Sequence, residues 1–317
     1  MFVIGLKLVM EIAITVTALP SQDKLLLDVA AALQRELNGA LEFRWLAQGE
    51  AIDLILPSPD GAPETPQPAD ISNADLAYIK EMVAHAAGNR PLDWCVQRTV
   101  GRKKRMLIAD MDSTTIGQES IDEMAELKGI RPEIAAMTER SMRGELEFES
   151  GLRERMRLLR GMSEADLQRV LGRLTLNPGA RTLVQTMKAH GAHTVLVSGG
   201  FTFFTSAVAE RAGFAANRGN VLLWDDGRLA GAAEPIQGRE AKLTALNEEA
   251  AAHSILPADV IAVGDGANDL AMLKAAGLSI AYRAKPIVAA EADAQVRYTD
   301  LTALLYFQGY MRDSFAA

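Results

Sequence analysis

Three short segments hold acids, hydroxyls and glycines at close spacing. They are Asp110-Met111-Asp112-Ser113-Thr114, Ser198-Gly199-Gly200 and Gly264-Asp265-Gly266-Ala267-Asn268-Asp269. Each follows a short apolar run that reads as a buried strand, and in open α/β sheets ligands bind beyond the carboxyl ends of the strands. Taken singly they are ordinary: an Asp at a strand end is commonly a helix N-cap, and Ser-Gly-Gly is commonly a turn. Taken together, they bring four carboxylates, a hydroxyl and several glycine amides to one crevice. Carboxylate oxygens suit a hard divalent cation. A hydroxyl and glycine amides suit an anion that the backbone must approach closely. The single cysteine, Cys95, rules out an internal disulfide and a multi-cysteine zinc or iron–sulfur site. Cys95 reads as a small buried apolar residue. His85, His190, His193 and His253 show no metal-ligand spacing and read as structural or exposed.

The elements that would position these groups are legible from periodicity. Apolar runs at residues 106–109, 194–197, 260–263 and 278–281 predict parallel strands. Helical patterns at 180–190, 203–212, 239–253 and 269–276 intervene, and this alternation predicts a doubly wound, Rossmann-like parallel sheet. Residues 116 to about 177 are rich in Glu, Arg, Met and Leu and read as helical throughout. That is too much chain for one crossover helix, so it predicts a helical cap inserted after the first strand. Trp224-Asp225-Asp226-Gly227 predicts a hairpin turn.

Residues 1–100 read differently. Strands at 10–18, 41–46, 51–56 and 91–100 alternate with helices at 21–37 and 72–87, with Ser21 as an N-cap and Leu25, Val29, Leu33 and Leu37 as the buried stripe. The proline-rich stretch between Pro57 and Pro68 is a loop. This βαββαβ order resembles an α+β ACT domain, which implies a regulatory or assembly module with serine or another amino acid as a candidate effector, and leaves a homodimer open. Pro20-Ser21 stands where that family has a Pro-Gly pair. The second domain is then 101–317. Its leading run Arg102-Lys103-Lys104-Arg105 reads as a solvated edge rather than a nucleic-acid patch.

The three acidic and glycine motifs, with a lysine between the last two, resemble the haloacid dehalogenase superfamily of phosphotransferases. Glu119 and the segment Phe148-Glu149-Ser150-Gly151-Leu152-Arg153-Glu154-Arg155 resemble its phosphoserine-hydrolysing branch. The resemblance implies hydrolysis of O-phospho-L-serine, the last step of serine biosynthesis, through an aspartyl-phosphate. It assigns Asp110 as nucleophile, Asp112 as general acid and base, and Lys242 as the charge-offsetting lysine. Mg2+ would be held by Asp110, the main-chain carbonyl of Asp112, Asp265 and Asp269. Ser198, Gly199 and Gly200 would bind the phosphate, Asn268 would order the nucleophile's surroundings, and Glu119 and Arg155 would pair with the ammonium and carboxylate of the substrate. Met142, Arg143 and Phe148 are further candidates for the pocket wall. Phosphohomoserine is the alternative substrate, and an amino-acid sensor on the same fold is the alternative class.

The bulk composition agrees. The chain has 317 residues, 49% hydrophobic and 23% charged, and a net charge of −8. That is globular composition with no electrostatic reason to bind nucleic acid or an anionic membrane. Lys7 and Glu11 interrupt the apolar start, so no membrane span or secretory signal is expected and the protein reads as cytoplasmic.

Overall fold

The computed structural model describes residues 12–37, 41–57, 73–142, 147–238 and 240–316. The chain divides into two units: Met1–Lys104 with Asp293–Phe315, and Arg105–Ala292 with Ala316–Ala317. In the first unit the elements are β1 (Ile12–Ala18), α1 (Asp23–Glu36), β2 (Glu42–Ala47), β3 (Ala51–Leu56), α2 (Asn73–Ala87) and β4 (Leu92–Arg98), in the expected βαββαβ order. β1 lies between β3 and β4, antiparallel to both, and β2 pairs with the far edge of β3. Its central place explains why all seven of its residues are buried. α1 turns Leu26, Val29, Ala30 and Leu33 into the core, an i, i+3, i+4, i+7 set. The predicted stripe is therefore shifted, and Leu25 and Leu37 are only half-buried. Gln22, not Ser21, takes the N-cap position, because Ser21 adopts a left-handed φ of 66°. Met10 and residues 58–68 of the proline-rich loop lie outside the described residues.

The basic run is not a uniform solvated edge. Arg102 and Lys104 are buried while Lys103 and Arg105 are exposed. The Arg102 guanidinium lies 2.9 Å from the fully buried Asp53 carboxylate of β3. The same carboxylate accepts from Thr15 Oγ1 at 2.7 Å and pairs with Arg44 at 2.8 Å. A carboxylate with no access to water needs such partners, and this need draws Arg102 inward.

The second unit opens with β5 (Met106–Asp110) and the inserted helices α3 (Ser120–Lys128), α4 (Arg131–Met142), α5 (Phe148–Leu159) and α6 (Glu164–Arg173). Then come α7 (Ala180–Ala189), β6 (His193–Phe201), α8 (Thr202–Ala212), β7 (Ala216–Asn220) and the hairpin β8 (Leu222–Asp225) with β9 (Arg228–Ala232). α9 (Ala241–Ala252), β10 (Val260–Gly264), α10 (Leu270–Ala275), β11 (Leu278–Tyr282) and α11 (Pro286–Glu291) complete it. The strands run in the order β11-β10-β5-β6-β7 and every pairing is parallel. Met106, Ile108, Val195 and Val197 share one core with Ala245, Leu246 and Ala250 of α9 and with Met272 and Leu273 of α10. The alternate residues Leu107, Ala109 and Leu196 are buried as well, as strands covered on both faces require. The hairpin turns at Asp226 and Gly227 with φ of 46° and 69°, the positive pair that a two-residue turn demands.

The insertion is helical, as its composition predicts, and its two ends are stitched together. Gly117 N donates to the Thr175 carbonyl at 3.1 Å and Asn177 N to the Thr115 carbonyl at 2.9 Å. The Asn177 side-chain amide donates to the carbonyls of Thr114 and Ile116 at 2.8 and 3.1 Å.

Beyond Ala292 the chain joins the first unit, whereas the sequence reading kept 101–317 together. β12 (Ala294–Val296) pairs antiparallel with β4 through Gln295 and Trp94. The Asp93 carboxylate accepts from the amides of Arg297 and Thr299, both at 2.8 Å, and from Thr299 Oγ1 at 2.6 Å. α12 (Ala303–Phe307) buries all five of its residues. A buried carboxylate and an open edge on β4 are both satisfied by this return.

Candidate active site

β5 ends on Asp110, and a tight turn follows at once. Thr115 Oγ1 donates to the Asp110 carbonyl at 2.6 Å, Ile116 N donates to the Met111 carbonyl at 2.9 Å, and Ser113 sits at a φ of 55°. The Asp112 carboxylate accepts from Ser120 N at 2.8 Å through one oxygen and from Ser198 Oγ at 3.0 Å through the other. An unpaired amide in the first turn of α3 therefore orients Asp112.

Ser198-Gly199-Gly200 lies inside β6, not after it. The β6–β7 register breaks between Val197 and Phe201, so the three residues form a bulge. Gly200 N donates to Ser198 Oγ at 2.8 Å, and Asn220 Nδ2 holds the Gly199 carbonyl at 2.9 Å.

The third motif folds around Asp269. Its Oδ2 accepts from the amides of Asp265 and Gly266 at 3.2 and 3.0 Å. A Cβ on Gly264 would stand 2.4 Å from Asp269 Cγ, so only glycine admits this approach. Thr114 Oγ1 donates to Asp265 Oδ1 at 3.1 Å and joins the first motif to the third.

Lys242, buried in the first turn of α9, places Nζ 2.6 Å from Asp110 Oδ1 and 2.5 Å from Asp269 Oδ1. Carboxylate oxygens of Asp110, Asp265 and Asp269 all lie within 4.8 Å of one another. The Lys242 ammonium thus faces two carboxylates, with Asp265 close by. Burial, then Asp269, pushes Asp110 well above the ordinary carboxylate range. Burial, then Asp269 and Glu119, pushes Asp265 up to about 6. Burial opposes the Lys242 charge, but Asp110 and Asp269 outweigh it and raise its pKa. Asp112 is raised by burial against its hydrogen bonds from Ser120 and Ser198, and Glu119 by burial and by Asp112.

These groups open into a cavity of about 340 Å³. Of the candidate site residues, Asp110, Asp112, Glu119, Arg155, Ser198, Gly199, Gly200, Asp265 and Asn268 line it. Lys242 and Asp269 lie behind that wall, and Lys242 borders a small adjoining void with Asn268 and Gly199. The Asp112 side chain stands outside the three-carboxylate cluster. Glu119 accepts from Ser113 Oγ at 2.6 Å. Arg155 Nε donates to the Gly151 carbonyl at 3.2 Å, and burial works against its charge. Phe148 lines the cavity. The Met142 side chain and Arg143 lie outside the described residues.

Sequence reasoning missed Ser120, Ile121, Asp122, Gly266 and Lys285 in the cavity wall. Lys285 follows the carboxyl end of β11, and its amide donates to the Asp265 carbonyl at 3.1 Å. The strand-end rule applied to the fourth strand points to that loop, although no motif marks it. Ser120 Oγ is buried and has no hydrogen-bond partner among the described residues. It offers a spare polar atom beside the cavity.

A buried carboxylate on an ammonium, a second carboxylic acid two residues on, and a hydroxyl with glycine amides opposite define a phosphoryl-transfer site with a carboxylate nucleophile. Residues 107–274 match the haloacid dehalogenase-like hydrolase family. The chain is 39% identical over 241 residues to a phosphoserine phosphatase of Archaeoglobus fulgidus, covering 74% of this chain and 69% of that one. It is 41% identical over 288 residues to a phosphoserine phosphatase of Streptomyces coelicolor, covering 90% of this chain and 70% of that one. A solved phospho-aspartyl intermediate analogue of phosphoserine phosphatase superimposes with a TM-score of 0.60 at 36% identity, covering 65% of this chain and 99% of that one. The chain belongs to the haloacid dehalogenase-like hydrolases and, within them, to the phosphoserine phosphatases.

Proposed function

We propose that the protein hydrolyses O-phospho-L-serine to L-serine and phosphate, the last step of serine biosynthesis, with Asp110 as the covalent nucleophile. The observation that carries this reading is the 2.6 Å contact of Lys242 with Asp110 beside an Asp112 held by Ser198 and Ser120. Asp110 attacks phosphorus, and Asp112, whose carboxyl pKa is raised by burial, gives its proton to the departing serine oxygen. In the second half Asp112 takes a proton from the water that cleaves the aspartyl-phosphate. Ser198 and the amides of Gly199 and Gly200 bind phosphate oxygens, and Lys242 offsets charge on the nucleophile. Asn268 completes the wall beside Asp110.

The all-oxygen cluster of Asp110, Asp265 and Asp269 fits Mg2+. Those residues, with the Asp112 main-chain carbonyl, would hold it, and it would supply the positive charge that lets a carboxylate meet a phosphate dianion. Asp269 also fixes Lys242 and the Asp265 and Gly266 amides. Glu119 and Arg155 select the amino-acid portion of the substrate.

The βαββαβ order of residues 12–98 supports an ACT-like regulatory or assembly role for the first unit, with an amino acid such as serine as effector and a homodimer as the assembly. No helix among the described residues is long and apolar enough to cross a membrane. Steady-state phosphate release from phosphoserine, phosphothreonine and phosphohomoserine, with and without added serine, tests the reading. Phosphoserine should have the highest kcat/KM. A preference for either of the others overturns the substrate assignment.

A further inference from the structure

A residue of β6 and two of α9 and its C-cap meet at the end of the catalytic sheet opposite the Asp110 cleft. His193 is the first residue of β6, whereas Ser198 lies near the strand's other end. Glu249 and His253 come from the last turn of α9 and its C-cap, an i, i+4 pair on one helix face. His193 Nε2 lies 2.8 Å from Glu249 Oε2. The His193 and His253 rings stack with centroids 3.7 Å apart. One ligand atom from each of the three residues falls within 4.8 Å of the other two. We propose that His193, Glu249 and His253 form a second metal site, for a divalent transition ion such as Zn2+, which clips the end of α9 to β6.

The donor set separates this site from the Asp110 cluster. Two imidazoles and one carboxylate favour a borderline ion over Mg2+, which takes oxygen ligands. The surroundings supply orientation and charge. Arg218 of β7 grips Glu249 Oε1 through Nε at 3.0 Å and Nη2 at 2.7 Å, which leaves Oε2 turned to His193. Groups behind the ligands commonly fix them in this way. Arg218 also pairs with Glu248 at 2.6 Å, so two carboxylates face one guanidinium. With neutral imidazoles the cluster carries one net negative charge, and a cation is not repelled by it. His193 and Glu249 are about one-eighth exposed at their side chains, and His253 is exposed. The ion therefore enters from solvent beside His253 and keeps water in its remaining positions. Binding replaces the His193–Glu249 hydrogen bond with two bonds to the ion. The same helix carries Lys242 in its first turn, so the clip would anchor the far end of the element that positions the lysine.

The test uses the full chain, stripped with a chelator and returned to excess Mg2+ so that the oxygen cluster is served first. Co2+ is titrated by absorbance, Zn2+ is used as competitor, and Tm is followed in parallel. Wild type should take up one equivalent of Co2+ with d–d bands showing nitrogen ligation, release it to Zn2+, and rise in Tm. His253→Gln, at an exposed position, should remove that equivalent and the Tm rise while leaving phosphate release in Mg2+ unchanged. Glu249→Gln should do the same to uptake. Absence of uptake by wild type, or equal uptake by His253→Gln, overturns the proposal. Either result leaves the phosphatase reading untouched, because that is read in Mg2+ alone.

Discussion

Asp265 lies in the Asp110 cluster with its pKa pushed up to about 6 by burial, by Asp269 and by Glu119. Its folded value is raised, so in the metal-free protein its ionisation opposes folding above that pH and the cost disappears as pH falls below it. Mg2+ needs the ionised form and must displace a proton at lower pH. Apparent Mg2+ affinity should therefore fall as pH drops through about 6, by at least about tenfold per pH unit below it. Titration calorimetry across that range checks this, and a flat profile at low pH contradicts it. Arg155 has the opposite task, since it must stay charged in a half-buried wall. Arg155→Ala should lower kcat/KM for phosphoserine by about 10–100-fold, the worth of a charged hydrogen bond, and leave a generic aryl phosphate almost unaffected. Equal losses on both substrates would assign Arg155 to chemistry or stability instead. At this scale much of the site was legible, because acids and glycines at strand ends announce themselves by type and order. Ser120 was not, since it acts through its main-chain amide, and neither was the meeting of His193 with Glu249 and His253, which only the crossing of β6 and α9 creates.

Among the elements, the inserted helical segment supplies Glu119, Phe148 and Arg155 to the cavity wall. Its two ends meet at Asn177, whose amide side chain bonds to the carbonyls of Thr114 and Ile116, next to the turn that carries Asp112. Asn177→Ala should cost about 1–3 kcal/mol for two lost hydrogen bonds and raise KM as the cap loses its set position. Thermal melts and steady-state kinetics would show both, and unchanged KM would mean the stitch is structural only. On the other side, Arg153 of α5 grips Glu234 through Nε at 2.7 Å and Nη2 at 3.1 Å. A Cβ on Gly238 would lie 1.8 Å from Glu149 Oε1. Helix α5 therefore rests directly on the loop that leads into the Lys242 helix. The helical character of the insertion was readable from its length and composition. The bulge in β6 was not, because periodicity marks strands but says nothing of where their pairing breaks, and two of the three residues in it are glycines.

For the whole molecule, the instructive feature is the chain's return to its first unit. Asp93 collects amide and hydroxyl donors from residues 297–299, and Gln97 Nε2 donates to the Phe307 carbonyl at 2.7 Å. Asp93→Ala leaves the buried Thr299 amide and hydroxyl without this acceptor and should destabilise the protein by about 2–4 kcal/mol. A calorimetric melt checks this, and an unchanged Tm would show that Asp93 does not hold the return. The change of pattern put a boundary after Val100, whereas the first unit runs on to Lys104. The return was not readable, because a three-residue strand and a five-residue helix are too short to carry a periodic signal. The −8 charge raises no obstacle to an anionic substrate, because Arg155 and Lys285 line the cavity and Lys242 stands behind its wall. The central claim is that Asp110 becomes phosphorylated. Acid quenching during turnover of phosphoserine in Mg2+, followed by peptide mass spectrometry, should find one phosphoryl group on Asp110, with neither phosphoryl group nor turnover in a folded Asp110→Asn variant. A phosphoryl group on another residue, or wild-type turnover by Asp110→Asn, would contradict it.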